Sequence, residues 1–348
     1  MKASRSPWMW AAGLWCSTLW APLCAQHALP PWIGGLPGLE HPAAWGLQEG
    51  GIAFGAQHAS QWSQGAEPLN HQWLGFSWSP SPAARGWSGG GLGRWTFGTR
   101  HHTAARATGW TEGRHALQAA VRIPLDGDWT GAAGIGLGAR TWVLDGRSWS
   151  WDSQYGPGGY DPTASTGEPD GRVVGAGWSP VLTLGVAGEY RPRRAKAAQL
   201  KGAVTLQHVL PPTAPHFQDT PVDTLSRAAG WWMEVRQDLG SGGFTWTAWH
   251  RGAWQQPAAI AEFGGTLERT FGNASLHTRE TLGHRIGLGV IWRTDGLFRL
   301  PFTWRHGDLR LWLAPGVDIG HRSPAADGWA LGLTWQPALS GNTPIGSR

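Results

Sequence analysis

Residues 284–293 read HRIGLGVIWR, and every second residue from Ile286 to Trp292 is apolar. The positions between them hold Gly287, Gly289 and Ile291, and arginine flanks the run on both sides. Successive side chains of a β-strand point to opposite faces, so this period of two places the apolar residues on one face. A helix would need apolar residues three and four positions apart. The stretch therefore predicts a β-strand with one apolar face and one polar face.

The same alternation recurs along the chain and indicates an all-β protein. In one segment Glu234, Arg236 and Asp238 share the polar face, as expected for strands that line a wet or hydrogen-bonded lumen. Trp and Tyr residues often fall near predicted strand ends, as an aromatic girdle requires. A soluble β-sandwich also alternates, so alternation alone does not place the chain in a membrane. The further segments are ALQAAVRIPL (116–125), VLTLGVAGEY (181–190), WWMEVRQDL (231–239) and GWALGLTWQ (328–336).

The lengths of the connections favour a barrel over a sandwich. From the second connection onward, short ones alternate with long ones at 99–112, 145–177 and 210–228. An outer-membrane barrel with its N-terminus inside has short periplasmic turns and longer outer loops. We therefore predict a single antiparallel transmembrane β-barrel of the outer-membrane type with about 14 strands. Nine strands are expected at 51–62, 68–79, 87–98, 113–124, 129–144, 178–190, 198–209, 229–239 and 243–254, and five or six more between 256 and 336.

Composition agrees with a membrane barrel and gives little support to a nucleic-acid partner. The 348 residues include 27 tryptophans and 53 glycines. Trp favours the boundary between water and bilayer, and sugar-stacking platforms are its other common exposed use. After residue 25 no apolar run is long enough for a membrane-spanning helix, which leaves the closed barrel. Removing Lys2 and Arg5 lowers the formal net charge from +5 to +3, which is weak grounds for nucleic-acid binding.

The start of the chain predicts export. Residues 1–25 have the basic start, apolar stretch and small residue before Gln26 that are typical of a secretory signal peptide. A lipid anchor at Cys24 is the alternative. Both cysteines, Cys16 and Cys24, lie in this segment, so the mature chain would have no thiols for disulfides or catalysis. The expected location is the cell outer membrane.

The remaining chain divides into three predicted parts. Residues 26–50 form an N-terminal periplasmic, plug-like segment, residues 51–336 form the transmembrane barrel, and residues 337–348 form a polar C-terminal tail. No repeat or linker indicates a second domain.

No catalytic or cofactor-binding motif is recognisable. The chain has no G-x-S-x-G, H-E-x-x-H or P-loop sequence. The glycine-rich stretches 89–95 and 134–138 lie in predicted strands with no helix after them, so they do not form a nucleotide fingerprint. His101 and His102 lack further ligands at a recognisable spacing and are interpreted as a solvated loop pair. We expect no enzyme activity, no cofactor and no metal site.

Two charged or aromatic connections are candidate interaction sites. The loop at 145–172 combines aromatic and acidic residues, and long loops are often functional. Packing of its aromatics on the barrel rim explains it equally well, and its aspartate spacing does not match an EF-hand. The basic turn at 191–197 could dock an acidic partner or headgroup, but a solvated turn is favoured.

Two stretches resemble the PorP/SprF family of type IX secretion membrane proteins. Residues 41–62, HPAAWGLQEGGIAFGAQHASQW, are similar to the family's Asn-Pro-Ala-Tyr-Ala-Gly opening and the apolar strand after it, which ends in a Gln-Trp-like pair. His41, Ala44 and Trp45 depart from that pattern. Residues 149–168, WSWDSQYGPGGYDPTASTGE, are similar to its aromatic–Asp–Gln–hydrophobic–Asp-Pro segment and following Gly-Glu pair. The resemblance covers about residues 26–218, where a third stretch with His208, Leu210 and Pro211 follows in family order.

The resemblance implies a non-enzymatic outer-membrane barrel that serves the type IX secretion system and supports export or surface attachment of proteins such as gliding adhesins. It implies four partners: type IX secretion components, C-terminal domains of secreted adhesins, a periplasmic peptidoglycan-binding lipoprotein and outer-membrane lipid. Because Pro42 and Gly46 interrupt regular pairing, we predict that their segment turns into or plugs the inner mouth of the lumen. The candidate motif or partner-binding residues are Pro42, Gly46, Gln61, Trp62, Trp151, Gln154, Asp161, Pro162 and Glu168.

Three other functions compete with this one. A passive porin or solute channel fits the charged inner face. A soluble Trp-rich carbohydrate-binding sandwich fits the aromatic content. An outer-membrane acyl-transfer enzyme would need a Ser or His activated by its neighbours, which no motif in the chain indicates.

Overall fold

A computed structural model describes residues 36–48, 51–61, 68–79, 94–106, 109–145, 155–156, 159–161, 174–192, 197–210, 227–240, 243–255, 258–272, 283–294, 296–318 and 328–337. Two short 3-10 helices precede the strands, at Pro37–Leu39 and Pro42–Leu47. The first nine strands are β1 (Gly51–Gln61), β2 (Leu69–Ser79), β3 (Arg94–Arg106), β4 (Trp110–Pro124), β5 (Trp129–Asp145), β6 (Tyr155–Gly156), β7 (Gly159–Tyr160), β8 (Val174–Tyr190) and β9 (Gln199–Gln207). The remaining strands are β10 (Ala228–Asp238), β11 (Phe244–Gln255), β12 (Ala258–Phe271), β13 (His284–Arg293), β14 (Leu297–Arg299), β15 (Phe302–His306), β16 (Leu309–Asp318) and β17 (Gly328–Trp335).

The strands close into one antiparallel barrel. Each pairs with its neighbours along the chain, β1 pairs with β17, and β12 pairs with β13, so the sheet has no free edge. The short β14 and β15 occupy a single position between β13 and β16, and the barrel therefore has 14 positions. The predicted fold class and strand number are confirmed. The β6–β7 hairpin lies outside the barrel sheet, in the connection from β5 to β8.

The two faces of the wall differ in the way that the alternation predicts. Outward side chains such as Leu117, Val186 and Leu288 are more than 60% exposed. Inward side chains such as Arg251 and Glu262 are almost fully buried. An apolar exterior around a polar interior is the arrangement of a transmembrane barrel. In the described ranges no helix has the length and apolar character needed to cross a bilayer.

The many tryptophans and glycines meet as cross-strand pairs. Trp249 lies directly opposite Gly264, and Trp312 lies opposite Gly332. A Cβ atom added at either glycine would fall within 2.4 Å of the tryptophan ring. The ring therefore lies flat over the glycine backbone and covers the gap that a missing side chain leaves in the sheet. This packing gives some of the tryptophans and glycines a shared structural role.

The prediction for the third strand was wrong. It was expected at 87–98 with a long loop at 99–112, but β3 runs to Arg106 and only residues 107–109 separate it from β4. The long connection is 80–93, on the other side of β3. The predicted loop pair of His101 and His102 lies within β3: His102 faces the lumen, whereas His101 faces outward and its Nδ1 is 2.6 Å from Nδ1 of His115.

The predicted alternation of short and long connections also fails. We call the mouth at which β1 begins the proximal mouth, and the opposite one the distal mouth. The connections at 80–93 and 272–283 are long although they join strands at the proximal mouth. The connections at 256–257 and 294–296 are very short although they join strands at the distal mouth. Connection length therefore does not distinguish the two mouths of this barrel.

One strand position is interrupted by proline. Leu300 and Pro301 separate β14 from β15, and Pro315 lies on the neighbouring β16. The Leu300 N–H donates to the carbonyl of Pro315 at 3.0 Å, and the Gly289 N–H donates to the carbonyl of Pro301 at 3.0 Å. Proline has no N–H to return either bond. Each of these two pairs therefore has one hydrogen bond where a regular antiparallel pair has two.

Candidate functional site

The lumen is crossed by residues 36–48, which we call the plug. A proline begins each of its two 3-10 helices, where the fixed φ of proline fits and its missing N–H costs no hydrogen bond. The plug is mostly buried, and Trp45 is 1% exposed. It contacts residues near the middle of strands, such as Gly55 on β1 and Gly134 on β5. The plug therefore occupies the lumen between the two mouths.

Glycines on the wall make room for the plug. A Cβ atom at Gly134 would lie 2.4 Å from the backbone nitrogen of Ala43, and one at Gly75 would lie 2.1 Å from Leu39 Cδ2. Real Cβ atoms do not approach this closely, so any larger residue at these positions would push the plug away. The small residues on this wall therefore form the surface on which the plug packs.

Side-chain hydrogen bonds tie the plug to distant strands. Nδ1 of His41 is 2.8 Å from Thr205 Oγ1 on β9. The indole N–H of Trp45 donates to Gln118 Oε1 on β4. His41 is also stacked with Trp232 on β10, with ring centroids 6.4 Å apart. These contacts satisfy polar groups that are removed from water, which makes the position of the plug specific.

Backbone and amide groups of the plug are held in the same way. Arg100 on β3 donates from Nη1 to the carbonyl oxygen of Leu39 at 2.9 Å. The hydroxyl of Ser77 on β2 donates to Gln48 Oε1 at 2.5 Å. Both ends of the plug are therefore tied to the wall, and the tie at Gln48 comes just before β1.

A buried ion pair also links the plug to the wall. Arg251 on β11 contacts Glu40 of the plug, with Nη1 3.3 Å from Oε2. The same guanidinium binds Glu262 on β12, with Nη2 2.8 Å from Oε1. Arg251 and Glu262 are both at most 1% exposed along their side chains. In such an environment each charge depends on its partners, because water cannot replace them.

Burial changes the protonation of the plug. Burial raises the pKa of the Glu40 carboxyl, while the nearby Arg251 acts in the opposite direction. Burial lowers the pKa of the His41 imidazole to about 3, and the charges of Arg251 and Arg100 add to this effect. His41 is therefore neutral at physiological pH.

Apolar contacts complete a septum across the lumen. Buried side chains of the plug and of the wall form one continuous cluster, so the described lumen is closed at mid-height. The large members of this cluster are Leu36, Leu39, Trp45, Trp73, Trp232, Trp249, Ile291 and Trp312.

The predicted motif residues fall in different places. Pro42 and Gly46 both lie in the second 3-10 helix of the plug, and Gly46 packs against Ala132 and Ala120. Gln61 ends β1 at the distal mouth, and the exposed Asp161 follows β7. The structure thus brings together Pro42 and Gly46 but does not place Gln61 or Asp161 with them. Trp62, Trp151, Gln154, Pro162 and Glu168 lie outside the described residues.

Several residues that hold the plug were missed from the sequence. Thr205 and Arg251 are 164 and 211 residues away from their plug partners along the chain, and no local motif marks them. Two plug residues with important contacts, His41 and Trp45, are positions that depart from the family pattern. Among the described side chains, no group of three or more His, Cys, Asp or Glu residues is arranged to hold a metal ion.

These features define a class: a transmembrane β-barrel of the outer-membrane type whose lumen is closed by its own N-terminal segment. No known family model and no curated protein matches the chain. Solved barrels resemble it in structure. The toluene transporter TbuX from Ralstonia pickettii is 10% identical, with a TM-score of 0.49 over 89% of this chain and 96% of that one.

Two further solved structures are similar to a lesser degree. The toluene transporter TodX from P. putida is 10% identical, with a TM-score of 0.45 over 89% of this chain and 96% of that one. BamA from Haemophilus ducreyi is 9% identical, with a TM-score of 0.43 over 82% of this chain and 70% of that one.

Proposed function

We propose that this chain is a non-enzymatic outer-membrane barrel of the type IX secretion system that supports export or surface attachment of proteins with C-terminal sorting domains, such as gliding adhesins. The observation that carries the proposal is the closed lumen. A septum of plug and wall residues at mid-height argues against steady passive conduction of solutes and is compatible with a barrel that holds partners at the membrane. The resemblance of residues 41–62 and 149–168 to the PorP/SprF family is the reason for proposing the type IX secretion system.

The proposal includes location and partners. The chain is exported by residues 1–25 and resides in the outer membrane, with the proximal mouth toward the periplasm. Its proposed partners are type IX secretion components, adhesin C-terminal domains, a periplasmic peptidoglycan-binding lipoprotein and outer-membrane lipid. The candidate partner-binding residues Gln61 and Asp161 lie at the distal mouth and after β7, where an exported client would be accessible.

A gene deletion in the native host tests this function. We expect proteins with C-terminal sorting domains to disappear from the cell surface and to accumulate inside the cell. A plasmid copy of the wild-type gene should restore them. Unchanged surface cargo in the deletion strain would overturn the secretion function and leave the barrel fold unaffected.

A solute channel is the second candidate, because the inner face is strongly charged. Glu112, Arg114 and Arg140 form an ion-pair cluster on the lumen side of β4 and β5, and a barrel without its plug would expose such groups to a water path. Single-channel recording in planar bilayers separates the two functions. We expect no steady conductance from the wild-type chain and clear conductance after deletion of residues 36–48.

The recording needs a control for folding. The deletion variant must keep the strand signal in circular dichroism and the altered gel mobility of an unheated barrel. A steady, large conductance from the wild-type chain would favour the channel over the secretion component.

A further inference from the structure

Three arginines stand side by side on the inner wall near the proximal mouth. Arg285 on β13 is directly opposite Arg305 on β15, and Arg305 is directly opposite Arg310 on β16. They share the lumen face with Trp312, which lies two residues from Arg310 on the same strand and is buried. We call these three residues the arginine row.

Among the described residues, carboxylates neutralise only part of the row. Like charges directly opposite each other on neighbouring strands destabilise a sheet. Glu268 on β12 reaches across to Arg310, with Nη2 2.6 Å from Oε1. In the described ranges, no carboxylate lies within ion-pair distance of Arg285 or Arg305. Arg236 on β10 adds to the repulsion at Arg305, and Glu268 partly offsets it.

A second arginine pair in the lumen is neutralised by a neighbouring carboxylate. Arg114 and Arg140 are also directly opposite each other, on β4 and β5. There Glu112 binds both guanidinium groups, with Oε1 2.5 Å from Arg114 Nε and 2.9 Å from Arg140 Nε. One carboxylate thus bridges two neighbouring arginines. In the arginine row Glu268 binds Arg310 and attracts Arg305 from farther away, and among the described residues no carboxylate forms ion pairs with two of the three arginines.

We propose that the arginine row is a binding site for an oxyanion, that is, a phosphate or carboxylate group that enters from the proximal mouth. The guanidinium group binds such groups through paired, charge-assisted hydrogen bonds. All three arginines are partly exposed, so a ligand can reach them, in contrast to the fully buried Arg251. The Nε of Arg305 donates to Gly307 O at 3.0 Å, which fixes the central guanidinium in position.

Hydroxyl groups stand at both ends of the row. Thr270 on β12 is opposite Arg285, and Thr334 on β17 is opposite Arg310. Hydroxyls can donate further hydrogen bonds to an oxyanion. The site is independent of the proposed role in secretion, because it depends only on the register and charge of the proximal wall.

Titration of the full-length protein with inorganic pyrophosphate tests the site. The protein is embedded in phosphatidylcholine nanodiscs at low ionic strength, and binding is measured by calorimetry. We expect saturable binding that is at least about tenfold weaker in Arg305→Gln, since one charge-assisted contact of roughly 1.5–3 kcal/mol corresponds to a factor of about ten or more. Citrate, a carboxylate probe, is titrated in parallel.

Arg269→Gln is the matched control. Arg269 lies on β12 near the same mouth but on the outer face, where its guanidinium is 5.3 Å from the centre of the Phe244 ring and 5.0 Å from that of Phe271. The control removes the same charge and should leave binding unchanged. Absence of saturable binding by wild type to either probe would overturn the proposal, as would equal weakening in the two variants.

A second arm identifies the source of the anion. The titration is repeated in nanodiscs that contain phosphatidylglycerol. Weaker apparent binding of pyrophosphate by wild type, with no such change in Arg305→Gln, would show that a lipid headgroup occupies the row. Equal binding in both lipids would show that the row takes a free anion. Both results require a functional site at Arg305.

Discussion

The space inside the barrel is filled in different ways on the two sides of the lumen wall. On strands β2 to β8 the inner wall carries small residues such as Gly75, Gly98 and Gly134, and the plug fills the space in front of them. On strands β11 to β16 the wall carries bulky side chains that fill much of the space, such as Trp249, Trp312 and Arg251. The comparison teaches that inward glycines form the seat of the plug where no neighbouring side chain covers them, whereas Gly264 and Gly332 are covered by Trp249 and Trp312. It also teaches that the bulky side chains of the opposite wall reach the plug from the other side, as Arg251 does at Glu40.

The largest expected effect concerns the side of the wall formed by β11 to β16. Replacing Glu262 by Gln leaves the buried Arg251 without its main counter-charge, and the loss should be about 3–5 kcal/mol of unfolding free energy. Urea unfolding in lipid vesicles, followed by tryptophan fluorescence, measures it. The control is Glu234→Gln, because Glu234 forms no ion pair among the described residues and should change stability by less than about 0.5 kcal/mol. Similar losses of unfolding free energy in both variants would show that the buried ion pair contributes no more to stability than Glu234 does.

The next effect concerns the plug side. Gly134→Ala places a methyl group 2.4 Å from the backbone of Ala43, and such overpacking costs about 1–3 kcal/mol. We expect the plug to leave its seat, which should appear as conductance in planar bilayers. The control is Gly136→Ala on the same strand and face, where the new Cβ would have only an ordinary contact at 3.4 Å from Gln118 Cγ. Closed channels in both variants would contradict this account of the plug seat.

Acid should loosen the plug through His41. The pKa of folded His41 is lowered to about 3 by burial, aided by Arg251 and Arg100, whereas an unfolded histidine titrates near 6.5. Between these values the unfolded chain binds the extra proton. Stability therefore falls as pH falls from about 6.5 toward 3, by up to roughly 1.4 kcal/mol per pH unit.

Glu40 acts in the opposite direction. Its pKa is raised by burial, so the stability that it contributes is lost as pH rises above its ordinary value of 4.5. Urea midpoints for wild type and His41→Asn between pH 4 and pH 7 separate the two groups. The variant should be less sensitive to acid in the upper part of this range. Parallel pH curves would show that His41 does not titrate as its burial requires.

The smallest effect isolates one hydrogen bond. Trp45→Phe removes the bond from the indole N–H to Gln118, whereas Trp249→Phe removes an indole N–H that has no hydrogen-bond partner among the described residues. Both changes remove a similar ring volume. Trp45→Phe should therefore cost about 1 kcal/mol more than Trp249→Phe, as measured by urea unfolding. A larger loss at Trp249 would mean that packing outweighs the hydrogen bond.

Much of the barrel follows from local pattern. Alternation in residues 231–239 and 284–293 correctly predicted which side chains of β10 and β13 face outward. It failed at β3 because the outer face of that strand changes from Trp95 and Phe97 to His101 and Thr103. A search for apolar alternation ends where an outer face becomes polar, although the hydrogen-bonded strand continues.

Less of the candidate site could be predicted from the sequence. Pro42 and Gly46 correctly mark an irregular segment, because each of them disfavours a regular strand. The contacts of the plug with Thr205 and Arg251 depend on a closed barrel that brings distant strands together. The arginine row depends on register across three strands, and a shift of one residue in any of them would remove it.

The interruption at Pro301 has a mechanical consequence. Two neighbouring cross-strand pairs in the wall, Leu300 with Pro315 and Gly289 with Pro301, are each held by a single hydrogen bond, because proline has no N–H to donate. A closed barrel opens first between the two strands whose pairing is weakest. Under lateral tension this barrel should begin to separate here, and its amide protons should exchange with solvent sooner at Gly289 and Leu300 than elsewhere in the wall.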